Sequence, residues 1–109
     1  MARDEGLEEL MNDELRSVPG ITGKAMFGGR AWLLRGNLLC GARHDGLLVR
    51  LGKGNDVSAL ELKGVKPMIS RGKHMQGWIR ADASVYGDDG KRGKLIAAAL
   101  KFVGSLPGK

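Results

Sequence analysis

The fold is decided by residues 30–51, which have the sequence RAWLLRGNLLCGARHDGLLVRL. Two short turn segments, Gly-Asn at 36–37 and His-Asp-Gly at 44–46, separate three apolar stretches here. Gly, Asn and Asp tolerate the backbone angles that tight hairpin turns require. We therefore predict a three-stranded antiparallel meander with strands at 30–35, 38–43 and 47–51.

A second hairpin follows the meander, and a short strand precedes it. Residues 66–70 and 73–83 surround an Arg-Gly turn at 71–72, and Pro67 restricts the first of these strands to a sheet edge or to a short segment. Residues 24–29 have the sequence KAMFGG and predict a short strand that ends in two glycines. Such glycines favour close backbone packing, so we expect this motif to be architectural.

Helices are predicted at both ends of the chain. Apolar residues recur at helical spacing between acidic residues over 4–16, and Pro19-Gly20 ends the pattern. A second apolar stripe, with Asp88 or Asp89 as its N-cap, predicts a C-terminal helix that ends before Pro107. A short helix is also predicted at 56–62.

Side chains alternate across a strand, so a turn at 36–37 assigns each residue of the meander to one face. The predicted core face holds Ala31, Leu33, Leu38, Cys40, Ala42, Leu47, Val49 and Leu51. The predicted outer face holds Trp32, Leu34, Leu39, Gly41, Arg43, Leu48 and Arg50. In the second hairpin the same rule assigns Met68, Met75, Gly77, Ile79 and Ala81 to the core face, and Ile69, His74, Gln76, Trp78, Arg80 and Asp82 to the outer face.

These elements predict an α+β fold of two layers, with helices on one side of the sheet and the other side open. An exposed apolar patch usually marks an interaction site, so we expect a homodimer or another protein partner on the outer face. The predicted contact residues are Trp32, Leu34, Leu39, Leu48 and Trp78. The alternative is that a loop at 52–66 or 83–94 covers this face.

Nucleic acid is the second candidate partner. Residues 1–16 carry two arginines against six acidic residues, a net charge of −4, which leaves +10 on the rest of a chain whose net charge is +6. A basic surface attracts polyanions. The predicted phosphate contacts are Arg43, Arg50, Lys53 and Arg80, beside Trp32 and Trp78 for base stacking. The three leucines of the same face favour a protein partner instead.

Composition limits the remaining function classes. A chain of 109 residues, 42% hydrophobic and 28% charged, fits one domain over 1–109. No apolar run approaches the roughly 20 residues that a membrane-spanning helix needs. The N-terminus lacks a signal-peptide pattern and Cys40 is the single cysteine, so we expect a cytoplasmic protein with no membrane partner.

The motifs indicate no catalytic, metal or cofactor site. Cys40 and His44 have C-x3-H spacing, but Cys40 is predicted to face the core and His74 is the one other histidine. The glycine-rich segment at 52–55 lacks the spacing of a phosphate-binding loop. We expect a protein that is not an enzyme and has neither a cofactor nor a metal, and no small-molecule substrate is identified.

Several short motifs occur in the order found in a known family. They are MFGG at 26–29, LCG at 39–41, LLVRLG at 47–52, KPM at 66–68, MQGWI at 75–79 and SLP at 105–107. Together they resemble the TfoX/Sxy N-terminal domain family over nearly the whole chain, as a stand-alone member. The resemblance implies a two-layer α+β fold of the secretion-chaperone-like type. It also implies a regulatory role, because named members regulate natural competence and carry a second, helical domain.

Overall fold

A single antiparallel sheet of six strands carries the helices on one of its faces, which we call the core face. The structure is a computed structural model and describes residues 5–26 and 29–108. The helices α1, α2 and α3 span Glu5–Leu15, Ala83–Tyr86 and Asp89–Gly104, and a 3-10 turn spans Ala59–Glu61. The strands β1 to β6 span Ile21–Met26, Gly29–Leu34, Asn37–Arg43, Gly46–Arg50, Val65–Ser70 and Lys73–Ala81.

The strand order is β1-β2-β3-β4-β6-β5. The meander β2–β4 and the hairpin β5–β6 form as predicted, and pairing of β4 with β6 joins them into one sheet. The predicted α+β fold, with an N-terminal helix, a meander, a second hairpin and a C-terminal helix, is confirmed. Phe27 and Gly28 of the predicted strand at 24–29 lie outside the described residues. No helix of the described residues is long and apolar enough to cross a membrane.

The first hairpin turns one residue earlier than the sequence predicts. Arg35 and Gly36 have φ values of 50° and 84°, so they form the two central positions of the turn, and Leu34 pairs with Asn37. The Asn37 side chain is 4% exposed and donates a hydrogen bond of 2.8 Å to the Pro107 carbonyl. Asn37 therefore holds the C-terminal segment instead of forming the turn.

A β-bulge at Leu39 then changes the register between β2 and β3. Leu33 pairs with Leu38, whereas Trp32 pairs with Cys40, so Leu39 is the extra residue of β3. The outer-face placement of Trp32, Leu34 and Leu39 is therefore wrong, because all three belong to the core cluster and are at most 7% exposed. The prediction that Ala31, Leu33 and Leu38 face the core is also wrong, because the same shift places them on the outer face.

Trp32 connects the sheet to α1. Its indole Nε1 donates a hydrogen bond of 3.0 Å to the Asn12 Oδ1, and the ring packs in the same cluster as Leu7, Met11 and Leu15. Truncation of a buried tryptophan to alanine costs about 3–5 kcal/mol. Trp32 is therefore a main source of stability for the packing of α1 on the sheet.

A second bulge, at Gly77, changes the faces of the β5–β6 hairpin. The turn at Arg71-Gly72 is as predicted, but Gly77 has a φ of 88° and its carbonyl accepts hydrogen bonds from the backbone of both Leu51 and Gly52. Met68 and Met75, predicted to face the core, therefore line the outer face beside Trp78. Ile79 and Ala81 remain in the core as predicted.

The N-terminal and C-terminal helices form where the sequence predicts them, one further short helix is present, and one predicted helix is shorter than expected. The Asp88 carboxylate caps α3 by accepting a hydrogen bond from the Lys91 N–H. The short α2 was not predicted, and the predicted helix at 56–62 is only the 3-10 turn Ala59–Glu61. Ala59 and Val85, from the two segments proposed to cover the outer face, belong to the core cluster.

Arg92 joins α1 to α3. Its side chain is 9% exposed and donates to the Glu14 carboxylate, the Asp89 carboxylate and the Tyr86 carbonyl at 2.9, 2.8 and 2.7 Å. Burial alone would lower the pKa of Arg92, but the hydrogen bonds to Asp89 and Glu14 outweigh it and raise the pKa above its ordinary value. Arg92 therefore stays charged inside the helical layer.

We expect the two tryptophans to differ in accessibility. Trp78→Phe leaves only Trp32, which is 2% exposed, so its emission is blue-shifted and acrylamide quenches it weakly. Trp32→Phe leaves the partly exposed Trp78 and loses the bond to Asn12, so the free energy of unfolding falls by about 1–3 kcal/mol. Acrylamide quenching and urea unfolding check both variants. Equal quenching of the two would contradict the burial of Trp32.

Asp88 makes the stability of α3 depend on pH. The hydrogen bond from the Lys91 N–H lowers the pKa of Asp88, so the folded state favours the carboxylate. Its contribution is fully present above about pH 5 and is lost as the pH falls through the lowered pKa. We expect Asp88→Ala to lower the thermal midpoint at neutral pH and the difference from wild type to shrink below about pH 4. Glu9→Ala, an exposed change in α1, is the control, and an undiminished difference in acid would contradict this role.

Candidate functional site

The outer face contains an apolar groove of about 250 Å³, which we call the outer groove. Its larger apolar lining residues are Met26, Leu38, Leu48, Met68, Met75 and Trp78. Of the predicted partner-binding residues, Leu48 and Trp78 therefore lie here, whereas Trp32, Leu34 and Leu39 are inside the core. Met75 is 39% exposed and Leu48 is 6% exposed, so the groove has both an open rim and a buried wall.

One row of paired residues crosses the outer face, with a residue from each strand. Residues directly opposite each other in an antiparallel pair share a face. In strand order from β1 to β5, this outer row is Lys24, Ala31, Gly41, Leu48, Arg80 and Lys66. The small residues Ala31 and Gly41 lie beside Leu48 in the middle of the row, and long cationic residues lie at its ends. The groove exists because Ala31 and Gly41 leave space between larger neighbours.

Gly41 is the glycine that opens this groove. Its φ lies outside the left-handed region, and an added Cβ would meet only the Arg30 carbonyl oxygen, at 3.5 Å. Neither backbone strain nor a steric clash therefore requires glycine here. Gly29, in contrast, approaches the Ala42 carbonyl so closely that a Cβ would collide with it, which agrees with the architectural role predicted for this glycine.

The two methionines reach the groove because of the bulge at Gly77. The Gly77 N–H donates a hydrogen bond of 3.2 Å to the Asp56 carboxylate, and Asp56 is 5% exposed. A Cβ at Gly77 would lie 2.6 Å from the backbone nitrogen of Lys53, so glycine is required. Simple strand alternation missed Met68 and Met75, although an isolated glycine within a strand pattern is a known signal of a bulge.

All charged residues of the six strands are lysines or arginines. None of the six strands contains Asp or Glu, and their paired residues place six cations on the outer face. These cations are Lys24, Arg43, Arg50, Lys66, Lys73 and Arg80.

Three of the four predicted phosphate-contact residues are already engaged. Arg80 and Arg43 lie 3.1 and 3.5 Å from the two oxygens of Asp45. Arg50 donates to the Leu38 carbonyl at 3.3 Å, and its guanidinium lies 5.9 Å from the centre of the Trp78 ring. Lys53 is exposed in the loop after β4. The arginines of this face therefore have internal partners, and the lysines carry its accessible charge.

The cysteine and the histidines do not form a site together. Cys40 is fully buried, and desolvation raises the pKa of its thiol well above the ordinary range, so the thiol is protonated at neutral pH. His44 is exposed in the turn before β4. His74 lies in β6, and its Nε2 is 3.9 Å from the carboxylate of Asp56. No group of three His, Cys, Asp or Glu residues within 5–26 and 29–108 is placed to hold a metal ion.

Comparison with known proteins identifies the family. The family described as the TfoX N-terminal domain matches residues 13–103, which is most of the chain. The chain belongs to the TfoX N-terminal domain family. The resemblance found in the sequence motifs is thus confirmed, and this TfoX N-terminal domain is of the competence-regulator type. No curated protein and no solved structure matches it.

Asp45 controls how much positive charge the outer face of this TfoX N-terminal domain presents. Asp45→Asn removes the carboxylate that Arg43 and Arg80 share. We expect later elution from heparin and a dependence of log affinity on log salt that is steeper by about one to two. Salt-gradient chromatography and titration at several salt concentrations measure this.

The matched control for Asp45→Asn is Asp13→Asn. That change also frees one arginine, Arg16, which lies directly after the end of α1 and is exposed. Equal effects of the two variants would mean that net charge alone matters. They would contradict a specific role of the outer face in attracting anions.

Proposed function

We propose that this domain is a non-enzymatic binding module of regulatory type, which associates with a protein through the outer face of its sheet. The observation that carries the proposal is the outer groove, an apolar concavity on the side of the sheet away from the helices. Apolar surface left open on a small domain usually marks an interaction site. A tryptophan beside flexible methionines is also a favourable composition for such a site.

The partner is a second copy of the chain or another protein. Trp78 and Leu48 provide the aromatic and aliphatic contacts, and Met75 is the most exposed large residue of the groove. Methionine side chains adapt to different apolar surfaces, which suits a regulatory module. Trp32, Leu34 and Leu39 contribute indirectly, since they hold the helices on the other face.

Nucleic acid receives less support as the partner. Arg43, Arg50 and Arg80, three of the four residues expected to contact phosphate, have partners within the domain. Phosphate binding would need these contacts to be exchanged. Trp78 remains able to stack on a base, but Trp32 is inside the core and cannot.

A non-enzymatic role is supported by the chemistry of the groove. Its lining is apolar apart from two arginines and Ser70, and it contains neither a carboxylate nor a histidine. General acid and base catalysis needs such a group within hydrogen-bond distance of the substrate. The Cys40 thiol, whose pKa is raised by burial, is not a nucleophile at neutral pH.

Site-specific photo-crosslinking in producing cells tests the proposal. Benzoylphenylalanine replaces Met75 at the groove or, as the matched control, Ala97 on the exposed side of α3. We expect a defined protein adduct from position 75 and none from position 97, with mass spectrometry identifying a second copy or another protein. Adducts from both positions alike, or from position 97 alone, would contradict the proposal.

A further inference from the structure

The outer groove lies in a field of positive charge, which indicates the chemistry of its occupant. The six strands hold no acidic residue, and the outer row begins with Lys24 at one edge and ends with Lys66 at the other. Three acids of the described residues lie near the sheet: Asp45, which two arginines share, Asp82, and the buried Asp56, which accepts a hydrogen bond from a backbone N–H of β6. The face thus remains positive overall.

The volume of the groove limits what enters it. A cavity of about 150 Å³ holds a benzene-sized group, and pockets for whole small molecules begin near about 300 Å³. The outer groove, at about 250 Å³, falls between these values. It therefore fits one bulky apolar side chain of a larger partner better than a complete small molecule.

We propose that the outer groove binds an acidic segment of another protein, which inserts one bulky apolar side chain over Gly41 and places carboxylates near Lys24 and Lys66. This inference rests on the proposed function and names the class of partner. Charge complementarity between an acidic segment and this cationic face favours association.

The spacing of the two lysines sets the length of the bound segment. Adjacent strands lie about 4.8 Å apart, so the five steps from β1 to β5 span roughly 24 Å. An extended segment of about seven residues covers that distance. The expected sequence therefore has acidic residues two to four positions, roughly, on either side of the apolar anchor.

A second copy of this chain is a weaker fit. Five of its twelve acidic residues lie in α1, where Leu7, Met11 and Leu15 face the core of their own domain. That helix has no fully exposed apolar side chain among its described residues to insert into the groove. Two copies of the cationic face would also repel each other in a symmetric dimer.

Selection from a displayed library of random peptides, long enough to cross the sheet, tests the inference. We expect enriched peptides to be acidic and to contain Phe, Leu, Met or Trp between the acids. Binding of a labelled enriched peptide should weaken about tenfold or more in Gly41→Leu, which fills the groove. It should weaken about two- to fivefold in Lys24→Glu and in Lys66→Glu, and also weaken with added salt.

Matched controls lie on α3, away from the sheet face. Gly93→Leu adds the same side chain at a position where a Cβ meets no neighbour within 4 Å, and Lys94→Glu and Lys101→Glu reverse exposed charges. These variants should bind the peptide as the wild type does. Urea unfolding of Gly41→Leu confirms that it is folded, and the lysine variants test the same inference without filling the groove.

Three results would overturn the inference. The first is enrichment of neutral or basic peptides, or of none above background, and the second is undiminished binding in Gly41→Leu. The third is a mixed-sequence oligonucleotide that binds the wild type and loses affinity in Gly41→Leu, which would assign the groove to nucleic acid. A crosslinked second copy from position 75 together with failed peptide selection would reject the acidic segment and leave the proposed function standing.

Discussion

Two interruptions of the sheet's pleat, at Leu39 in β3 and at Gly77 in β6, decide which side chains are buried and which are open. The first adds one residue to β3 and the second adds three residues to β6, and because both numbers are odd, each moves the side chains beyond it to the opposite face. The first brings Trp32 beneath α1, and the second brings Met75 beside Trp78 on the outer face. The core and the groove therefore depend on the same two irregularities.

The local signals of the sequence predicted most of the fold. Turn residues at 44–46 and 71–72, the apolar stripes of the helices and the cap at Asp88 are determined by neighbours along the chain, so composition and spacing reveal them. The faces of β2 were not predictable in this way. They depend on the bulge at Leu39, because Trp32 then pairs with Cys40 instead of with Leu39. The earlier turn shifts the pairing by two residues and does not by itself exchange the faces. A bulge of this kind interrupts the two-residue alternation and leaves no periodic signal in the sequence.

The sequence predicted only part of the candidate site, because the alternation rule holds only where a strand is regular. Leu48, Arg43 and Trp78 follow regular pairing with their neighbours and lie on the outer face as the alternation rule requires. Met68 and Met75 were assigned to the wrong face because the rule assumes an unbroken strand. The buried Asp56, which accepts a hydrogen bond from the bulged Gly77, is the tertiary partner that the rule leaves out.

If the outer groove binds a partner as proposed, Gly41 favours that binding at the expense of stability. Glycine in the interior of a strand is less favourable than a β-branched residue by up to about 1 kcal/mol, and the surroundings of Gly41 leave room for a Cβ. Selection for thermal stability alone would therefore favour larger residues at position 41. Each would close the groove by degrees, so a more stable domain obtained by directed evolution would be a poorer binding module.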